Sequence, residues 1–219
     1  MNEHHLSVAR TARYYTLGPL DGAPREVWVV CHGFGQLAAR FLRHFEAIDD
    51  GTRLVVAPEA LQRYYLDDMK VPAAERRVGA TWMTREDRLA DINDYVAYLD
   101  ALCDELFRRV PRDSARLVVL GFSQGVSTVC RWLAAGTTRA DRLILWAGPV
   151  PPDADLAAAR DRLAGTDLTL VLGTRDEFAS EATVAQQERL LGAAAIPFRI
   201  VRFDGGHHMD AATLRAVAG

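Results

Sequence analysis

Apolar positions along this chain fall into short unbroken runs, separated by longer stretches in which they recur every three or four residues. The runs, rich in β-branched residues, predict strands at Glu26–Cys31 (EVWVVC), Arg53–Ala57 (RLVVA), Arg116–Gly121 (RLVVLG), Arg142–Trp146 (RLILW), Leu168–Gly173 (LTLVLG) and Phe198–Phe203. Most lack polar alternation, as strands do when helices cover both faces of a parallel sheet. Ala12–Leu17 is a candidate for an additional antiparallel edge strand.

Helical spacing links Leu37, Phe41, Leu42, Phe45 and Ile48, and again Leu89, Ile92, Val96, Leu99, Leu102, Leu106 and Val110. The second of these helices is expected to open at Thr84, with Asp87 three residues on in the manner of a capping box, and to stop before Pro111. Ser123–Ala135 reads as a helix closed by Gly136. Ser180 reads as the cap of a helix running to Gly192, and Ala211–Val217 as a short last one. Strands alternating with helices define an α/β domain, with a mostly parallel central sheet flanked by helices on both faces. No repeat, low-complexity tract or linker divides the chain, so residues 1–219 are expected to form a single domain. One stretch, residues 61–84, fits no regular element. It holds Tyr64, Tyr65, Pro72, Gly79 and Trp82, and loops of this length commonly shape a binding site. The same apolar residues would serve a dimer contact equally well.

Composition narrows the class. Hydrophobic residues make up 49% and charged residues 25% of the 219, which excludes a disordered or fibrous chain. The net charge of −3 is spread over mixed acidic and basic residues, and the absence of a basic stripe argues against nucleic acid as a partner. No apolar run reaches the ~18–20 residues that span a bilayer. Met1–Arg10 lacks the apolar core of a secretory signal, so the expectation is a cytoplasmic protein without stable membrane insertion, monomeric or homodimeric. Cys31, Cys103 and Cys130 are scattered through apolar segments, without metal-type spacing, and are expected to be reduced and buried.

The chemistry concentrates where strands end. Gly121-Phe122-Ser123-Gln124-Gly125 lies at a strand-to-helix junction, and G-x-S-x-G in that context is a nucleophile elbow, the mark of an α/β-hydrolase fold. A serine hydroxyl needs a base to take its proton, and the base needs an acid to fix its tautomer. In this fold the chain order is serine, acid, histidine. Downstream of Ser123 the only histidines are His207 and His208, which follow the last strand and Gly205-Gly206. Asp176, just after the strand Leu168–Gly173, is the candidate acid, with Asp204, Asp210 and Glu177 as the other carboxylates nearby. Acyl transfer also needs donors for the developing oxyanion. The backbone N–H of Gln124, which follows the nucleophile, should supply one. The loop His32-Gly33-Phe34-Gly35-Gln36 should supply the other, through the Phe34 N–H. His32 precedes Ser123, out of order for a base, and reads as structural.

Taken together, HGFG after the first central strand, GFSQG at the elbow, Asp176 after LVLGT and GGH after the last strand resemble the phospholipase/carboxylesterase family, which includes small bacterial esterases and acyl-protein thioesterases. The resemblance runs from about Glu26 to the C-terminus. It implies His207, directly after the glycine pair, as the base, with His208 a solvated or supporting residue. It also implies hydrolysis of carboxylic esters with no metal or organic cofactor. Ala80-Thr81-Trp82-Met83 occupies the place where that family carries a tryptophan followed by Phe-Asp near its acyl pocket; Met83 and Thr84 depart from that pattern. Dienelactone hydrolases are similar in length and layout but use cysteine where this chain has Ser123. The expected function is a serine carboxylesterase acting on small to medium acyl esters, with Tyr64, Tyr65, Trp82, Met83 and Phe178, beside Phe34, forming the substrate pocket. The alternatives are a lysophospholipase or acyl-protein thioesterase with long-chain substrates, and a hydrolase fold kept as a non-catalytic binding module.

Overall fold

A computed structural model describes all residues, 1–219. Its centre is a seven-stranded sheet. β1 (Tyr14–Leu17) pairs antiparallel with β3 (Arg53–Pro58), as expected of an edge strand. β2 (Glu26–Cys31), β6 (Arg116–Phe122), β7 (Arg142–Trp146), β8 (Asp167–Gly173) and β9 (Phe198–Phe203) complete the order β1-β3-β2-β6-β7-β8-β9, and all pairings beyond β1 are parallel.

The strand pleat sends alternate side chains to two separate cores. Val27, Val29 and Cys31 of β2 and Leu117 and Val119 of β6 face one side; Trp28 and Val30, with Val118, Leu120 and Phe122, face the other. The first core, of 35 buried residues, is closed by α2 (Arg88–Arg109), α3 (Gln124–Ala135), the short α4 (Arg160–Leu163) and α5 (Glu181–Ala193). The second, of 21, is closed by α1 (Ala38–Leu42), a 3-10 segment Arg43–Ile48 and α6 (Ala211–Ala218). Burying each large side chain in these layers contributes about 1.5–3 kcal/mol. The four tryptophans, all buried, also satisfy their indole N–H groups, through Glu26, Asp100, and the carbonyls of His32 and His208.

Three expectations change. Residues 61–84 are not irregular throughout: β4 (Gln62–Tyr65) and β5 (Val78–Thr81) form an antiparallel pair outside the main sheet. Strands of four residues split by Pro72 and containing Gly79 leave too little alternation to be read from sequence. The helix read from Leu37 to Ile48 shortens into α1 and the 3-10 segment, although its apolar positions Phe41, Leu42, Phe45 and Ile48 are buried as the spacing required. The capping box at Thr84 does not form. Asp87 is the N-cap in a left-handed conformation, Thr84 Oγ1 accepts from the Glu86 N–H instead, and Leu89 is 68% exposed. No helix is long and apolar enough to cross a membrane.

Because β2, β6, β8 and β9 run parallel, their C-terminal ends share one edge of the sheet. Every loop that carries candidate chemistry leaves the sheet there.

Candidate active site

β6 ends at Phe122 and α3 begins at Gln124, so Ser123 alone turns the chain, at φ 54° and ψ −116°. A non-glycine residue in such a conformation costs on the order of 1–3 kcal/mol and persists only when its surroundings hold it. Here its N–H donates to the Trp146 carbonyl at 2.9 Å, and its carbonyl accepts from the Val126 N–H at 3.0 Å. The flanking glycines are required by contact. A Cβ on Gly121 would lie 2.4 Å from the Gly125 oxygen, and one on Gly125 would lie 2.1 Å from the Cys31 oxygen.

The elbow aims Ser123 at the loop after β9. His207 Nε2 lies 2.9 Å from Ser123 Oγ, and His207 Nδ1 lies 2.9 Å from Asp176 Oδ2. The Asp176 side chain is 0% exposed, and its other oxygen accepts the Phe178 N–H at 2.9 Å. The two loops are tied together by the Arg175 N–H, which donates to the Gly205 carbonyl at 2.9 Å. A Cβ on Gly173 would sit 2.5 Å from that same carbonyl oxygen, so the loops approach closely only because the residue is glycine. The other acids near the histidines are engaged elsewhere or exposed. Asp204 pairs with Arg175, Asp210 caps α6 through Thr213, and Glu177 faces solvent. His208 points its ring at Phe203 and is exposed, while its carbonyl accepts the Trp146 indole.

The loop after β2 runs beside Ser123: a Cβ on Gly33 would lie 3.2 Å from the Ser123 Cβ. Its amides are mostly consumed inside the protein. The Gly33 N–H donates to Gln36 Oε1 at 2.8 Å, Gly35 to Ala80 at 2.8 Å and Gln36 to Gly33 at 3.2 Å, whereas the Phe34 N–H has no protein acceptor. The Gln124 N–H, at the first position of α3, likewise has no acceptor within its helix. His32 is buried and structural, as its position suggested. Its Nδ1–H donates to the Gly33 carbonyl at 2.8 Å and its Nε2 accepts the Ala60 N–H at 3.1 Å. Burial holds its pKa below the ordinary histidine value, against the opposing effects of the Gly33 bond and Glu59, and so favours the neutral ring.

A cleft of about 210 Å³ opens over Ser123 and His207, lined also by Gly33, Phe34, Gln36, Phe122 and Met209, with His44 and His208 at its rim. Of the residues expected to form the pocket, Phe34 lines it at 60% exposure and Tyr64 lies against Phe34, the two rings tilted with centroids 5.5 Å apart. Phe178, 62% exposed, stands edge-on to His207 at 4.8 Å. The others lie elsewhere. Tyr65 sits under Arg76, Met83 packs beside Arg131, and Trp82 is 1% exposed in the first core. Gln36, His44, Phe122 and Met209 were not anticipated. Phe122 adjoins Ser123 and could have been named from that alone. His44 lies on a segment whose only sequence signal was the helical period of its apolar neighbours.

The fold is that of the α/β hydrolases. No protein-family model matches the chain, and no curated protein matches it significantly in sequence. Solved structures do match. The Zea mays acyl-protein thioesterase 2 superposes with a TM-score of 0.69 at 16% identity, covering 95% of this chain and 100% of that one. The Bacillus cereus carboxylesterase gives 0.68 at 18% identity, over 94% and 91%. The phospholipase/carboxylesterase from Dyadobacter fermentans gives 0.64 at 14%, over 96% of each. At these identities the likeness is one of fold, and it extends over nearly the whole chain.

Proposed function

We propose that this protein is a serine carboxylesterase, hydrolysing small to medium acyl esters through an acyl-enzyme on Ser123. The observation that carries the reading is the continuous relay from Ser123 Oγ through the His207 ring to the buried Asp176, with 2.9 Å at both links. In this mechanism Ser123 Oγ attacks the ester carbonyl as His207 Nε2 takes its proton. Asp176 holds the Nδ1–H tautomer and stabilises the imidazolium that forms. The tetrahedral oxyanion lies between the Phe34 and Gln124 N–H groups, each such donor being worth about 10²–10³ in rate. Its collapse expels the alcohol, which receives the proton from His207. Water, deprotonated by the same imidazole, then attacks the acyl-enzyme and releases the carboxylic acid and free Ser123.

The size of the cleft supports short acyl groups over long ones, and the solved esterases of the same fold support the reaction class. A series of p-nitrophenyl esters from acetate to palmitate, on wild type and Ser123→Ala, tests the proposal. Turnover with an optimum at short or medium chains, lost in the variant, is the expected result. An optimum at palmitate would favour a lysophospholipase or thioesterase. Binding of esters without turnover at any length would move the chain to the non-catalytic reading.

A further inference from the structure

The β4–β5 pair has no place in the main sheet, yet β5 and the residues after it bond to both loops that carry the proposed oxyanion donors. On one side, the Gly35 N–H donates to the Ala80 carbonyl at 2.8 Å, the Ala80 N–H returns to the Gln36 carbonyl at 3.2 Å, and the Trp82 indole donates to the His32 carbonyl at 2.9 Å. A Cβ on Gly79 would lie 2.6 Å from the Gly35 oxygen, so strand and loop are in direct backbone contact. On the other side is the Gln124 side chain. Its Nε2 donates to Thr81 Oγ1 at 2.9 Å and to the Met83 carbonyl at 3.0 Å, while its Oε1 accepts the Trp82 N–H at 3.2 Å. Thr81 Oγ1 in turn donates to the Met83 carbonyl at 2.8 Å.

From this juxtaposition we infer that residues 79–83 are a brace setting the separation of the Phe34 and Gln124 N–H groups, with the Gln124 side chain, Thr81 and Trp82 as positioning residues. The inference rests on the esterase reading above, since it assigns those two N–H groups to one oxyanion. The two segments are also held at Gly33, which donates to Gln36 Oε1, and at Ser123, which donates to the Trp146 carbonyl, but neither of those bonds joins one segment to the other. The Phe34 loop turns at Gly33 and Gly35, the latter at φ 74°, and glycine-rich backbone has little stiffness of its own. Oxyanion stabilisation depends on donors fixed before charge develops, and an error of about 0.5 Å is enough to weaken it. The brace uses polar atoms that would otherwise be buried without partners, so it holds its geometry without touching substrate. It therefore acts on the transition state and leaves ground-state binding alone.

The test compares wild type with Gln124→Met, Thr81→Val and Gln124→Glu, which keeps an acceptor for the Trp82 N–H. The readouts are kcat and KM on the preferred p-nitrophenyl ester, Tm, and Ki for a trifluoromethyl ketone of the same acyl length. The oxyanion of that ketone's serine adduct occupies the same two donors. The expected result is a fall in kcat of about 10- to 100-fold in Gln124→Met and Thr81→Val, with Ki rising in parallel and KM within about threefold. Gln124→Glu should recover part of the loss. Wild-type kcat and Ki in Thr81→Val, whose shape is conserved, would overturn the inference even if Gln124→Met failed to fold. So would losses in which KM and Tm move with kcat while Ki follows KM only. If wild type hydrolyses no ester, the esterase reading itself fails and takes the brace with it; active wild type with unaffected variants removes the brace alone.

Discussion

Asp176 gives one carboxylate oxygen to His207 Nδ1 and the other to the Phe178 N–H, each at 2.9 Å, so neither oxygen is free to rotate away. An amide in its place would have to keep its oxygen on the Phe178 N–H and turn its NH₂ toward His207. The imidazole would then carry its proton on Nε2, facing Ser123, and could not act as a base. Asp176→Asn is therefore expected to fold normally and to lose about 10⁴-fold in kcat, as wrong-tautomer substitutions do in serine proteases. Steady-state kinetics on the preferred ester check this, and a loss under about tenfold would remove Asp176 from the relay.

Ser123 and glycine should differ in stability in an unusual direction. At φ 54° and ψ −116° the elbow adopts a conformation natural to glycine, at a cost to serine of on the order of 1–3 kcal/mol. Ser123→Gly relieves that strain and loses roughly 0.5–1 kcal/mol to greater freedom in the unfolded chain. Both Ser123→Gly and Ser123→Ala should be inactive, with the glycine variant more stable by about 1 kcal/mol. Paired thermal melts decide it; an alanine variant that melts at or above the glycine one would show the elbow to be unstrained.

Much of this arrangement was legible because it is written in residue types with steep physical preferences. β2, β6, β7 and β8 are buried on both faces and show as unbroken apolar runs, and the elbow shows as glycines where a Cβ would lie only 2.1–2.4 Å from a backbone oxygen. The shared edge also followed, since parallel strands joined by helices place their C-terminal ends along one side of the sheet. What could not be read was set by tertiary contact. Trp82 looked like a pocket aromatic but its indole is spent on the His32 carbonyl inside the core. Likewise β4 and β5 exist through pairing with each other, against weak local preference. His44 reaches the cleft because α1 gives way to a tighter 3-10 segment, a change of period that the apolar spacing alone does not reveal.

His32 ties the stability of the Phe34 loop to pH. Burial, the largest influence on it, lowers its pKa from the ordinary value near 6.5, so the folded state favours the neutral ring. The stability this represents is complete above pH 6.5 and is lost as pH falls toward the depressed folded value. Below pH 6.5 the Tm should decline, and His32→Ala, already less stable, should decline less steeply. Parallel slopes for the two proteins would mean that other groups control the acid limb.

The cysteines give the opposite limb. Cys103 and Cys130 are buried in the first core, and desolvation pushes each thiol up to about 12; Cys31 is raised well above its ordinary value by the same cause. All three should resist dithionitrobenzoate at pH 8 in the native protein and react once it is unfolded in guanidinium. The folded state favours the thiol, so this part of its stability holds below pH 9, the ordinary value, and is lost as pH rises toward 12. Rapid labelling of any cysteine in the native state at pH 8 would contradict the burial of that site.

Chain-length preference should separate Phe34 from Trp82, two aromatics that the sequence alone could not rank. Phe34 is 60% exposed at the cleft with its ring 5.5 Å from that of Tyr64, so Phe34→Ala should widen the proposed acyl site at little structural cost. It should move the optimum in the p-nitrophenyl ester series toward longer chains with Tm nearly unchanged. Trp82 packs against His32 at 5.2 Å and Tyr95 at 6.2 Å, with no face on the cleft. Trp82→Ala would leave a core cavity costing about 3–5 kcal/mol. The milder Trp82→Phe keeps most of the packing and removes the indole bond to His32. It should lower kcat by a similar factor at every chain length and leave the optimum where it is. A shifted optimum in Trp82→Phe would return that residue to the acyl pocket and weaken its role in the brace.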